Sequence, residues 1–203
     1  MSVIAGEGRV PILYGGHAIP VAPYRSAYLA RPDAVDRHPG VALTDSVDPT
    51  PPMKTLARHL ARYGYAAVVP PGTKVDLAAA VDAFGGAWGD WSRADRRAVL
   101  GIGAGAVSAA EVATERSIPL VLLSPSLAGL VVPVNAPVLV LSAEATSANR
   151  GPAATGRWVV YRGLGAGFWD DASADYSLAA ATDALSRLVG FLDRHLGVDA
   201  AAA

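Results

Sequence analysis

The sequence predicts an α/β fold, a mostly parallel sheet flanked by helices. Two observations carry this. Short apolar runs of four to seven residues are spaced by amphipathic helical patterns. Most of these runs are apolar at nearly every position, which is the pattern of strands covered on both faces rather than one. The order is strands first, then alternating strands and helices, then a long final helix, so right-handed crossovers follow as the default connection.

The elements follow in chain order. Tyr24–Arg31 alternates and reads as a strand with one wet face. Gly40–Thr44 is a near-continuous apolar strand. Pro52–Tyr63 places Met53, Leu56, Ala57, Leu60 and Ala61 on one side of a helix, and Gly64 follows as its stop. Tyr65–Pro70 is the next strand. Val75–Phe84 is a second helix, with Asp76 and Asp82 expected outward. Ala98–Gly101 is a buried strand and Ala104–Glu115 a small-residue helix. Ile118–Ser124, Pro137–Ala143 and Arg157–Tyr161 complete the strands. Ser177–Leu196 is the clearest helix: Leu178, Ala181, Leu185, Leu188, Val189, Leu192 and Leu196 form a stripe. Arg194 and His195 sit favourably in its last turn, and Gly197 ends it.

Composition bounds the function. The 203 residues are expected to form one domain, 1–203; 52% are hydrophobic and 17% charged, which is ample for a core. The net charge of −1 comes without a basic block, which argues against nucleic acid. The absence of cysteine excludes disulfides, thiolate catalysis and cysteine–zinc sites. No apolar run approaches a membrane span of roughly 18 residues, and MSVIAGEGRV lacks the pattern of a signal peptide. The expectation is a cytoplasmic protein with no membrane partner and no cofactor.

Function in such sheets gathers at the carboxyl ends of the strands. Those ends are Thr44-Asp45-Ser46, Pro70-Pro71-Gly72, Gly103, Ser124-Pro125-Ser126 and Glu144-Ala145-Thr146. The stretch AVLGIGAGAV, 98–107, runs from strand through glycine turn to helix. Gly101, Gly103 and Ala106 fit a dinucleotide fingerprint, but that motif needs an acid at the end of the following strand, where Ser124-Pro125-Ser126 stands. A tight turn with close helix packing is the preferred reading. Ser124, Ser126, Ser46 or Thr44 could serve as a recruited nucleophile, yet each needs a base. His59 lies in a helix, His195 ends one, His38 precedes Pro39 in a polar loop, and His17 sits in the glycine-rich GGHAIP. Asp170 and Asp171, with Asp45 and Asp48, could converge at one mouth to bind a metal or act as acid and base, although a solvated turn or helix-entry cluster is the preferred reading of Asp170-Asp171. In AFGGAWGDW, Phe84, Trp88 and Trp91 are expected in the core, with an exposed partner patch as the alternative.

With these pieces in place, the chain resembles the dienelactone hydrolase family of α/β-hydrolases over roughly Tyr24 to Gly197. YLARP and HPGVALTDS resemble its early strands, and LARHLARYGYAAVVPP the helix and strand that follow. VLGIGAGA stands where that family has its nucleophile elbow. APVLVLSAEAT stands at its acid-bearing strand, VVYRGLGAGFWDD at its histidine loop and ATDALSRLVGFLDRHLG at its final helix. The resemblance implies an α/β-hydrolase fold without a lid domain.

It also implies a triad of Cys or Ser, Asp and His, and the matching positions here are Gly103, Thr146 and Ala166. Glycine offers no attacking atom, threonine orients a histidine weakly and alanine accepts no proton. TDS at 44–46 departs from the His-Glu pair often found there. The implied family is one of carboxylic-ester and lactone hydrolases, while the missing triad points to a pseudoenzyme with no catalytic residue and no metal. Thr44, Asp45, Ala104, Phe168 and Trp169 would then line a relic pocket. The expected partner is a small carbonyl or ester-like ligand there, or a protein: a second copy or an active paralogue. An ester or lactone hydrolase with a relocated serine is the alternative.

Overall fold

The computed structural model describes residues 10–19, 25–45, 48–132, 135–143 and 156–197. Among them the sheet has eight strands: β1 Ile12–Ile19, β2 Arg25–Pro32, β3 His38–Thr44, β4 Ala66–Val69, β5 Ser92–Ile102, β6 Leu120–Leu123, β7 Val138–Ala143 and β8 Gly156–Tyr161. Their order across the sheet is β1-β2-β4-β3-β5-β6-β7-β8. β1 pairs antiparallel with β2, β2 antiparallel with β4, and every other pairing is parallel. The expected mostly parallel sheet between helices is therefore the observed one, and no lid interrupts it among the described residues.

Among the described residues four α-helices cover the sheet: α1 Pro51–Arg62, α2 Lys74–Ala83, α3 Ala106–Arg116 and α4 Leu178–Leu196. The period-two geometry of strands sends neighbours to opposite cores. Val41 and Leu43 pack with Met53, Leu56 and Leu60 of α1 and Leu188 and Leu192 of α4. Ala42, between them, packs with Leu77 and Val81 of α2 and Ala109 and Val112 of α3. This is why the inner strands read as unbroken apolar runs.

Local chemistry sets the helix ends. Pro51 and Pro52 open α1, where a missing N–H costs nothing. The Thr73 side chain accepts the Asp76 N–H at 3.1 Å and caps α2. Ser177 does the same for α4, accepting the Ala180 N–H.

Three expectations need correction. The wet face of the first strand is covered: Ala30 is buried, and the Arg58 guanidinium of α1 donates to the Tyr28 hydroxyl at 3.1 Å. Asp76 points inward, buried, because its carboxylate accepts the Thr73 hydroxyl at 2.6 Å. His38 is the first residue of β3 and buried, not in a polar loop. The sequence reading also missed β1, and it began β5 six residues late, at Ala98 instead of Ser92.

The AFGGAWGDW segment packs inward. Phe84 and Trp88 are buried, with rings edge-on at 5.4 Å, and Trp91 stacks on Trp88 at 5.5 Å. The buried Ser92 hydroxyl lies 2.6 Å from the Phe84 and Trp88 carbonyls and closes the turn.

Candidate functional site

The turn after β5 carries the geometry of interest. Ile102 is extended at φ −116, Gly103 turns to φ +51, and Gly103–Gly105 form one 3-10 turn before α3. A left-handed residue at this point is costly for any side chain but negligible for glycine. The flanking glycines answer to close approach. A Cβ on Gly101 would stand 2.6 Å from the Ala109 Cβ, and one on Gly105 would stand 2.6 Å from the Thr44 carbonyl oxygen. The GIGAGA pattern thus follows from packing α3 tightly onto β5 and β3.

A Cβ on Gly103 would have ordinary room, and the atoms nearest to it would all belong to Asp45: its carboxylate oxygens at 3.5 and 3.9 Å. Thr44 is fully buried at the end of β3, and its hydroxyl donates to the Asp45 carbonyl at 2.9 Å. Ala104 is exposed beside Gly103. The Ser126 N–H donates to the Gly103 carbonyl at 2.7 Å, so the loop after β6 is tied to the turn. Of the residues expected to line the relic pocket, the structure brings Thr44, Asp45 and Ala104 beside Gly103.

Ala166 is exposed in the loop between β8 and α4. That loop is coiled on itself: the Phe168 N–H donates to the Gly165 carbonyl and the Asp170 N–H to the Gly167 carbonyl. Phe168 is fully buried, its ring 4.6 Å from that of Tyr161. The Tyr161 hydroxyl donates to Asp183 at 2.8 Å, and burial first, then this bond, pushes its acidity well below that of a free phenol. Arg187 holds Asp183 below the usual carboxylate range. Thr146 lies outside the described residues, as do Ser46 and the rest of 144–155.

Ser124 is the second unusual residue at this edge. It has φ +46, immediately before Pro125, and is only 5% exposed. Its hydroxyl has no hydrogen-bond partner among the described residues. Of the histidines, His38 opens β3 at the opposite end of the strand from Thr44, and His195 is in the last turn of α4 with its ring 4.6 Å from Phe191. Desolvation lowers the pKa of both. His59 lies on α1 and His17 falls in β1. Among the described residues no three acidic or imidazole side chains gather as a metal site.

A cavity of about 80 Å³ opens on the α1 and α4 side of the carboxyl edge. Leu123 and Leu141, from the ends of β6 and β7, and Leu188 of α4 form its buried floor. Leu56 and Leu185 wall it, and His59, Trp169, Asp170, Asp171 and Tyr176 also line it. Of the expected pocket residues, Trp169 reaches this cavity; Thr44, Asp45, Ala104 and Phe168 do not line it. The sequence reading missed it because its walls are the same leucines that form the helix stripes. Only the position of Trp169-Asp170-Asp171, just before the long helix, could have pointed there.

No protein-family profile and no curated protein matches the chain. Solved structures do. One described as a dienelactone hydrolase from Klebsiella pneumoniae superposes with a TM-score of 0.75 at 22% identity, covering 91% of this chain and 99% of that one. A dienelactone hydrolase-like promiscuous phosphotriesterase from metagenomic libraries gives 0.74 at 14% identity, covering 92% and 99%. A hyperthermophilic esterase from the archaeon Pyrobaculum calidifontis gives 0.68 at 16%, covering 91% and 87%. No helix among the described residues is long and apolar enough to cross a membrane. At these identities the likeness is one of architecture: the chain has the α/β-hydrolase fold in the arrangement of dienelactone hydrolase-like proteins.

Proposed function

We propose that this chain is a non-catalytic member of the dienelactone hydrolase family, a cytoplasmic protein that acts by binding rather than by cleaving esters. The observation that carries this is the pair Gly103 and Asp45. Ester cleavage needs an electron pair to attack the carbonyl carbon, a base to take the attacking proton and donors for the oxyanion. The residue at the turn has no side chain, and the nearest charged group is an anion. A carboxylate this close to the turn opposes an oxyanion formed there rather than stabilising it. Thr146 and Ala166, at the positions the resemblance assigns to acid and base, supply neither role.

The test is direct. The purified chain is expected to turn over p-nitrophenyl acetate no faster than a heat-treated control, and to resist labelling by a fluorophosphonate probe. A second reading rests on Ser124, whose strained backbone and unbonded buried hydroxyl are what a relocated nucleophile would show. Stoichiometric labelling at Ser124 would establish that reading and overturn the first.

A further inference from the structure

We infer that the cavity between α1 and α4 is a binding site for a short alkylammonium ion. Its depth order comes from burial. Leu123, Leu141 and Leu188 are nearly inaccessible and form the floor, while Asp170 is half-buried and Asp171 exposed at the mouth. The floor therefore takes a hydrocarbon and the mouth takes the polar head.

Size limits the hydrocarbon. A closed apolar cavity of roughly 150 Å³ holds benzene, and a water molecule occupies about 30 Å³. The volume here, about 80 Å³, suits a chain of three or four carbons with its head group at the opening. Charge selects the head. Two carboxylates line the mouth, and no lysine or arginine lines any part of the cavity. Trp169 and Tyr176, whose ring types attract cations, also line the cavity. A carboxylate, the product of any ester hydrolysis, meets the wrong sign of charge. The Asp170 side chain keeps one oxygen on the Ala172 N–H at 3.0 Å, which fixes the carboxylate in place.

The inference rests on the chain being a binding protein, but it is tested by binding alone. The full-length chain is titrated with n-butylammonium chloride, sodium n-butyrate and 1-butanol, with calorimetry and ligand-observed NMR as readouts. Saturable butylammonium binding in the millimolar range is expected, with butyrate weaker by about tenfold or more, since exposed charges contribute modestly each. In Asp170→Asn/Asp171→Asn, whose changes lie at the accessible mouth, that preference should vanish while 1-butanol binding persists. Leu188→Phe, which fills the floor, should abolish binding of both. If Leu188→Phe fails to fold, the asparagine pair still decides. Butyrate binding as tightly as butylammonium, unchanged discrimination in the asparagine pair, or no saturable butylammonium binding overturns the inference. Ester turnover by the chain would remove the proposed function and leave the ammonium preference standing, so the two failures are distinct.

Discussion

Asp45 holds a carboxylate oxygen 3.5 Å from the point where a Cβ on Gly103 would stand. A side chain at 103 has room, but it inherits φ +51 and a negative neighbour. Gly103→Ser is therefore expected to fold with a loss of about 1 kcal/mol, the cost of a left-handed residue bearing a Cβ. It is expected to gain no ester hydrolysis, because a hydroxyl without a base is a poor nucleophile. Urea midpoints and p-nitrophenyl acetate rates check both halves. Triad-like rates from this one change would mean that a base stands within reach of the turn.

The packing around the same turn makes a sharper prediction. Gly105 faces backbone: its Cβ would lie 2.6 Å from both the Asp45 Cα and the Thr44 carbonyl oxygen, and neither can swing aside. Gly105→Ala should lose about 3 kcal/mol, the upper range of overpacking. Gly190 is the control. It lies exposed in α4 with nothing within 4 Å of an added Cβ. Gly190→Ala should gain about 1 kcal/mol from helix propensity. Equal effects at the two sites would mean that the close approach of α3 to β3 does not govern stability there.

These two glycines show what could be read from sequence and what could not. The layered fold was legible because strands such as Val41-Ala42-Leu43 have both faces buried, and apolar runs record that directly. The helix stripes of Met53, Leu56 and Leu60 and of Leu188 and Leu192 were legible for the same reason. The strand–turn–helix around Gly103 was legible because glycine spacing is a backbone signal. β1 was not, since Leu13 and Tyr14 are exposed on an edge strand and leave no burial pattern. Asp76 was misplaced because a capped, buried carboxylate and a solvated one look alike in a helical stretch. The cavity was invisible because it is a shortfall in packing among ordinary core leucines, set by how α1 and α4 meet rather than by residue type.

A part-buried polar contact ties the C-terminal helix to the middle of the chain. Tyr65 is fully buried before β4, and its hydroxyl donates to the carboxylate of Asp193 in α4. Burial, reinforced by that carboxylate, pushes the phenol pKa far above its ordinary value. The hydroxyl thus stays a donor at any working pH. Tyr65→Phe keeps the ring and frees Asp193, which is exposed and can rehydrate. A loss of about 1–2 kcal/mol is expected, within the range for a hydrogen bond to a charged group. Denaturant unfolding of the variant gives the number, and no change would show that water replaces the contact without cost.

His38 gives the protein a pH dependence. It is 9% exposed at the start of β3, with no hydrogen-bond partner for its Nε2 among the described residues. Desolvation holds its pKa below the ordinary 6.5, against the opposing pull of the Ala34 backbone bond and Asp36; Arg31 adds to the lowering. Desolvation and Arg194 act on His195 in the same direction. The unfolded chain therefore takes up protons at these sites at higher pH than the folded chain does. Above pH 6.5 both forms are largely neutral and the sites contribute little. As pH falls below 6.5 the unfolded state is favoured, and stability drops until the folded imidazoles also protonate. Thermal midpoints should fall between neutral and mildly acid buffer, and His38→Gln should flatten part of that slope, with His195→Gln removing more. A slope unchanged in the double variant would assign the acid sensitivity to other groups.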